Sequence, residues 1–148
     1  YLAFLKNEII NLQNDVENIY NILDSLAQSP YAMLSFDIDG GGAVIAANTK
    51  AWLQLPWHCT IIAATITGQP SGSIVVDVWN NDIDSFPPTV ADTITAAAKP
   101  TLSSAQVSRD AGLTGWTKRL YLGDYVMANV DSCTTITQAV LLLWVRKL

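Results

Sequence analysis

The sequence predicts a mainly β protein, with a two-sheet β-sandwich of the jelly-roll kind at residues 30–148 and an α-helical coiled-coil stalk at residues 1–29. Three observations predict it. Apolar residues recur in a strict heptad from Leu2 to Leu26. After Pro30 the helix formers give way to Val, Ile, Thr and aromatic residues, broken by Gly, Pro, Asn and Asp, which is the composition of short strands joined by turns. The segment from Ile136 to Lys147 is apolar on both alternating faces in its second half, so both faces need cover.

In the stalk, Leu2, Ile9, Val16 and Leu23 take a positions, and Leu5, Leu12, Ile19 and Leu26 take d positions. A period of ~3.5 residues keeps one seam facing its partners and winds helices into a left-handed supercoil. Most other positions are Asn, Gln, Asp, Glu or Lys, which suits the outside of a parallel coiled coil. At ~1.5 Å per residue the stretch is about 40 Å long. Ser29-Pro30 ends it, because Pro lacks the backbone donor and turns the preceding residue away from the helix. The mixed Leu, Ile and Val layers do not choose between two and three strands, although Ile22 at a g position leans towards three. The heptad is already under way at Tyr1, so a stalk continuing upstream is expected.

The head offers candidate strands at 33–38, 43–47, 51–55, 58–67, 73–79, 118–122, 125–131 and 136–147. Turn chemistry separates them at Asp39-Gly40-Gly41-Gly42, Gly68-Gln69-Pro70-Ser71-Gly72, Phe86-Pro87-Pro88 and Gly123-Asp124. The stretch 90–117, richer in Ala, Ser and Thr, reads as a long connection with a helical turn.

Composition narrows the function. Half of the residues are hydrophobic and 14% are charged, which fits a substantial core and a surface partly buried against other copies of the chain. The net charge of −5 includes no basic patch, so nucleic acid is not expected as a partner. The longest apolar run, Ala139 to Val145, falls far short of a membrane span, and no secretory signal pattern is present.

Catalytic chemistry is hard to assemble. His58 and Cys59 are adjacent in a strand, which sends them to opposite faces. Asp37-Ile38-Asp39-Gly40 has the opening of a calcium loop, but Asn48 stands where the bidentate Glu belongs, so it reads as a hairpin turn. Asn80, Asn81, Asp82 and Asp84 read as a solvated loop, and no Asp pair is placed for glycoside cleavage. Cys59 and Cys133 read as small core residues, with a single bridge between them left open. No enzyme, cofactor or metal site is expected.

Binding residues are easier to nominate. Trp79, Trp116 and Trp144 fall in strand or motif positions and read as core, whereas Trp52 and Trp57, flanking Pro56, are candidates for stacking or anchoring. Arg109, Lys118 and Arg119 are candidates for holding a small anion, or a neighbour's Asp, between protomers.

The run Gly72-Ser73-Ile74-Val75-Val76-Asp77-Val78-Trp79 resembles part of a module at the ends of bacteriophage tail fibres and related receptor-binding tail proteins. So do Ala91-Asp92-Thr93-Ile94, Lys99-Pro100-Thr101-Leu102-Ser103-Ser104-Ala105, Gly115-Trp116-Thr117, Gly123-Asp124, Asn129-Val130-Asp131-Ser132 and the apolar last strand. The resemblance spans about residues 43–148, and with the stalk it extends to the tail needle of short-tailed phages. It implies a homotrimer with a TNF-like or adenovirus-knob-like jelly roll, placed at the tail tip of a virion. There the knob would contact a glycan or protein of the host envelope, and a needle would also plug the portal. The motifs do not separate needle from side fibre. A dedicated glycan-binding lectin domain and a TNF/C1q-like signalling ligand are the rival readings.

Overall fold

In a computed structural model the structure describes residues 1–148, apart from the side chains of residues 26 and 27; the d-position expectation at Leu26 lies outside the described residues. The chain forms two compact units, Tyr1–Pro30 and Tyr31–Leu148.

The first unit is one helix, α1 (Leu2–Ala27). Its described a and d residues are all exposed, from 38% at Leu5 to 81% at Leu2. An isolated helix of this length is marginal in water, and tertiary or quaternary packing of its apolar stripe normally supplies the stability. Among the described residues that stripe is exposed throughout.

The second unit contains β1 (Tyr31–Asp39), β2 (Lys50–Gln54), β3 (Cys59–Asn81), β4 (Thr101–Asp110), β5 (Arg119–Leu120), β6 (Tyr125–Thr134) and β7 (Gln138–Lys147). All their pairings are antiparallel. The long strand β3 organises them. Its first half, from Cys59 to Gln69, pairs with β7, and β7 pairs with β1. Its second half, from Ser73 to Asn81, pairs with β6, and β6 pairs with β2. Strand β4 follows β3 round the bend: Ala64–Thr67 face Asp110–Val107, and Gly72–Val75 face Ala105–Thr101.

With β3 and β4 divided at this bend, and the two-residue β5 set aside as a short addition to the start of β3, eight strands form two sheets: β1-β7-β3-β4 (sheet I) and β2-β6-β3-β4 (sheet II). Numbered consecutively, the sheets run 1-8-3-6 and 2-7-4-5, the order of a jelly roll. One core joins them, with Phe36, Ile66, Leu141 and Leu143 of sheet I in the same cluster as Ile74, Val78, Val126 and Val130 of sheet II.

The bend requires a glycine. A Cβ on Gly72 would collide with Thr135 Oγ1, come within 2.5 Å of the Thr134 carbonyl oxygen and lie 2.8 Å from Ile136 Cγ1. One of those contacts, the Thr134 carbonyl oxygen, is backbone that cannot swing aside. Gly72→Ala is therefore expected to destabilise the head by about 1–3 kcal/mol, the usual cost of overpacking, read as a lower urea midpoint with an unchanged slope.

Several sequence expectations are corrected. The segment 68–72 lies inside β3, because the chain bends there without reversing. The stretch 43–47 is no strand; Ile45 is buried and its N–H bonds to the Ile136 carbonyl at 2.9 Å, pinning a loop. The long connection 90–117 contains β4, whose residues are mostly polar because they lie at a largely exposed edge. The helical turn expected there is a single 3-10 turn, Val90–Asp92, capped by Thr89. Only Arg119–Leu120 of 118–122 are paired. Cys59 and Cys133 are both free thiols.

Candidate functional site

The sandwich has two outer faces, and the chain treats them differently. On sheet I the strand registers set outward residues in rows: Arg119, Thr60, Arg146 and Tyr31; then Ala63, Trp144 and Met33; then Arg109, Thr65, Leu142 and Ser35; then Val107, Thr67, Val140 and Asp37. The centre is apolar. Met33 and Val107 are exposed, and Val140, Leu142 and Trp144 are only half-buried. The two edges carry opposite charge, with Asp37 and Asp39 on β1, and Arg109 and Arg119 on β4 and β5. The Arg109 guanidinium stands 6.0 Å from the Trp144 ring, within cation–π range.

On sheet II the outward residues Asp77, Trp79, Met127 and Asn129 are buried. The Lys50 ammonium stands 5.6 Å from the Trp79 ring, and both Asp77 and Trp79 are met there by residues 82–100 of the same chain, through Thr93 and Thr95. This connection runs along the edge of β3, donating from Ile94 N–H to the Val78 carbonyl at 2.9 Å and accepting from Val76 N–H at the Pro100 carbonyl at 2.9 Å. It also laps onto the face, where the Phe86 ring lies 4.7 Å from Tyr125 and 6.4 Å from Trp52.

Asp77 anchors the connection. This carboxylate has no exposed surface. Its Oδ1 accepts from Thr93 Oγ1 at 2.6 Å, Thr95 Oγ1 at 2.7 Å and the Val78 N–H at 2.8 Å. Its Oδ2 faces Lys99 Nζ at 3.2 Å, and Lys99 also reaches Asp131 Oδ2 at 2.7 Å. Burial alone would push the Asp77 carboxyl up, but donation from Thr93, Thr95, the Trp79 indole and Lys99 outweighs it and holds the group below the usual carboxylate range. The geometry at Oδ2 is imperfect: this oxygen and Trp79 Nε1 are both buried without a well-formed hydrogen bond, so the hydroxyls on Oδ1 do most of the holding. The hydrogen bond to Asp131 raises the Lys99 ammonium in turn; burial opposes this and Asp77 adds to it.

The nominated residues do not form one site. Arg109 lies over Trp144, Lys118 Nζ donates to the Gly112 carbonyl at 3.2 Å, and the Arg119 guanidinium sits 5.5 Å from the Tyr121 ring. Trp57 packs against the core, while Trp52 is 55% exposed. Trp79 and Trp116 are buried, the latter donating Nε1–H to the Ala98 carbonyl at 2.8 Å. Trp144, read from sequence as core, instead lies on the outer face of sheet I. His58 Nδ1 accepts from the Leu122 N–H at 3.1 Å, while Cys59 is buried in the core and burial pushes its thiol up. Sequence reasoning missed the Asp77 cluster. Its signal was present in the motif residues Asp77, Thr93, Lys99 and Asp131, which are scattered along the chain and meet at one point.

No protein-family model matches the sequence, and no characterised protein is a detectable sequence relative. Among solved structures, the capsid structure of Helicobacter pylori bacteriophage KHP30 is similar at 13% identity and TM-score 0.38, covering 78% of this chain and 86% of that one. The cyanophage Pam1 capsid is similar at 14% identity and TM-score 0.37, covering 80% and 82%. The nucleoplasmin-like N-terminal domain of Drosophila FKBP39 is similar at 12% identity and TM-score 0.37, covering 81% and 92%. Likenesses this distant say nothing of role. The class that the strand pairing itself defines is a mainly β sandwich with jelly-roll strand order, with a separate helical unit before it.

Proposed function

We propose that the chain is a structural virion protein, the distal part of a phage tail needle or fibre, built as a homotrimeric stalk and TNF-like knob that contacts the host envelope. As a needle it would also plug the portal channel. One observation carries the assembly: the outer face of sheet II is buried over β3 and β6 within the chain, where residues 82–100 meet it, whereas the outer face of sheet I, like the described a and d residues of α1, is left open. A second copy is the natural cover for both. In a cyclic arrangement with the sheet I faces turned towards the axis, the acidic β1 edge of one protomer meets the basic β4 and β5 edge of the next, a heterologous contact that closes into a ring. A small anion between protomers would sit at the same basic edge, near Arg109 and Arg119. The resemblance in the head motifs supplies the number three and the tail-tip location.

Light scattering on the whole chain tests the assembly. Three copies of a 16.0 kDa chain give about 48 kDa. A stable monomer or a dimer mass would overturn the trimer. The lectin reading is favoured by a separate observation, the exposed Trp52 ring.

A further inference from the structure

The outer face of sheet II is buried at Asp77, Trp79, Met127 and Asn129 but open along β2. There Trp52, 55% exposed, and Phe86, 45% exposed, stand 6.4 Å apart with their rings inclined at 60°. Phe86 rests on Tyr125 at 4.7 Å, so this corner is held by packing from β2, β6 and the 82–100 connection. We propose that the ledge formed by Trp52 and Phe86 is a saccharide-binding site that takes one or two pyranose rings of a neutral glycan.

Size and chemistry select this occupant. The exposed parts of the two rings come to roughly 200 Å², against the ~800 Å² that each partner contributes to a stable protein interface. The ledge is too small to hold another protein and is the right scale for a sugar. The C–H face of a pyranose stacks on an aromatic ring, while its hydroxyls need donors and acceptors at the rim. Lys50 and Gln54 supply them from the same face of β2, two residues to either side of Trp52 and thus ~7 Å from it along the strand. Gln54 spends an amide N–H on the Gly123 carbonyl at 3.0 Å and keeps its side-chain oxygen to accept. Lys50 Nζ, which donates to the Asn48 carbonyl at 3.0 Å, keeps further N–H groups. A rim with one cation and one amide carries no charge pattern that demands an acidic sugar.

The inference deepens the host-contact reading by naming the chemistry contacted. The ledge lies wholly within one chain, so its success or failure is independent of oligomeric state. Single sites of this size bind weakly, with millimolar affinity expected, and threefold presentation would raise the avidity for a polymeric glycan.

The test is saturation-transfer-difference NMR and heteronuclear chemical-shift mapping on the full chain, titrated with neutral hexose and N-acetylhexosamine oligosaccharides. Shifts centred on the indole of Trp52 and the ring of Phe86 are expected. Affinity should fall tenfold or more in Trp52→Ala and several-fold in Phe86→Ala, with both variants keeping the wild-type circular dichroism. Saccharide signals undiminished in both variants, or no binding to any oligosaccharide in the panel, would overturn the proposal. So would a loss of oligomer mass in Trp52→Ala, which would make the ledge a contact between copies.

Discussion

Replacing Ile9 and Val16 together by Asp is expected to open the stalk, with loss of helical ellipticity and a fall in the midpoint of oligomer dissociation. Both are a positions near the middle of α1, exposed in the single chain and facing the seam in the proposed assembly. Each substitution would place one carboxylate per protomer in an apolar layer with no partner. An unpaired buried charge costs several kcal/mol at the least, and the seam relieves that cost only by parting. Once parted, α1 has no tertiary packing within its own unit and should fray. Light scattering then divides two cases. A monomer mass means that the stalk holds the trimer; an unchanged mass with reduced helicity means that the outer face of sheet I holds it. Retained helicity together with an unchanged mass would overturn the coiled coil itself.

Asp77→Ala is expected to destabilise the head by about 3 kcal/mol or more, because three buried or part-buried donors lose their shared acceptor at about 1–3 kcal/mol each. The change strips the acceptor from the Thr93 and Thr95 hydroxyls and the Val78 N–H at once, and loosens Lys99. Thr95→Val, which removes one hydroxyl and keeps the shape, should cost only about 1 kcal/mol. Urea unfolding monitored by tryptophan fluorescence distinguishes them. The same carboxylate sets a pH dependence. Its folded pKa lies below the ordinary value, so its contribution is fully present above about pH 4–5 and is lost as the pH falls through the folded value. Wild-type stability should therefore drop below about pH 4, and the Asp77→Ala protein should show less of that drop. An equal acid dependence in both proteins would show that Asp77 does not anchor the connection.

Much of this architecture was legible because burial has a period. The heptad from Leu2 marks α1 as a single helix, and the doubly apolar second half of β7 anticipates a sheet with an apolar outer face. Legibility fails where a segment's partner lies far along the chain. Strand β4 has one buried residue, Leu102, and its Ser, Gln and Arg residues give no alternating signal, so it reads as loop. The bend in β3 carries the Gly and Pro of a turn, and nothing local says that the strand resumes in the same ladder. The Asp77 cluster is hidden for the same reason: Thr93 and Thr95 lie 16 and 18 residues beyond it. Trp52 and Trp57 look equivalent in sequence. Only their positions, one outward on β2 and one packed on the core, separate a stacking platform from a core residue.

The pairing of β1 with β7 sets an order of assembly. Tyr31 opposes Arg146, so sheet I cannot close until Arg146 has left the ribosome. The backbone bonds of the helix before it are all local and form on a microsecond scale, although they persist only once its apolar stripe is packed, whereas ladders joining distant strands form far more slowly. In the proposed assembly, nascent or newly released copies would thus meet through α1 while their heads are still incomplete. The proposed stalk would then act as a tether that raises the local concentration of heads, so that each sheet I face would mature beside the copy proposed to cover it.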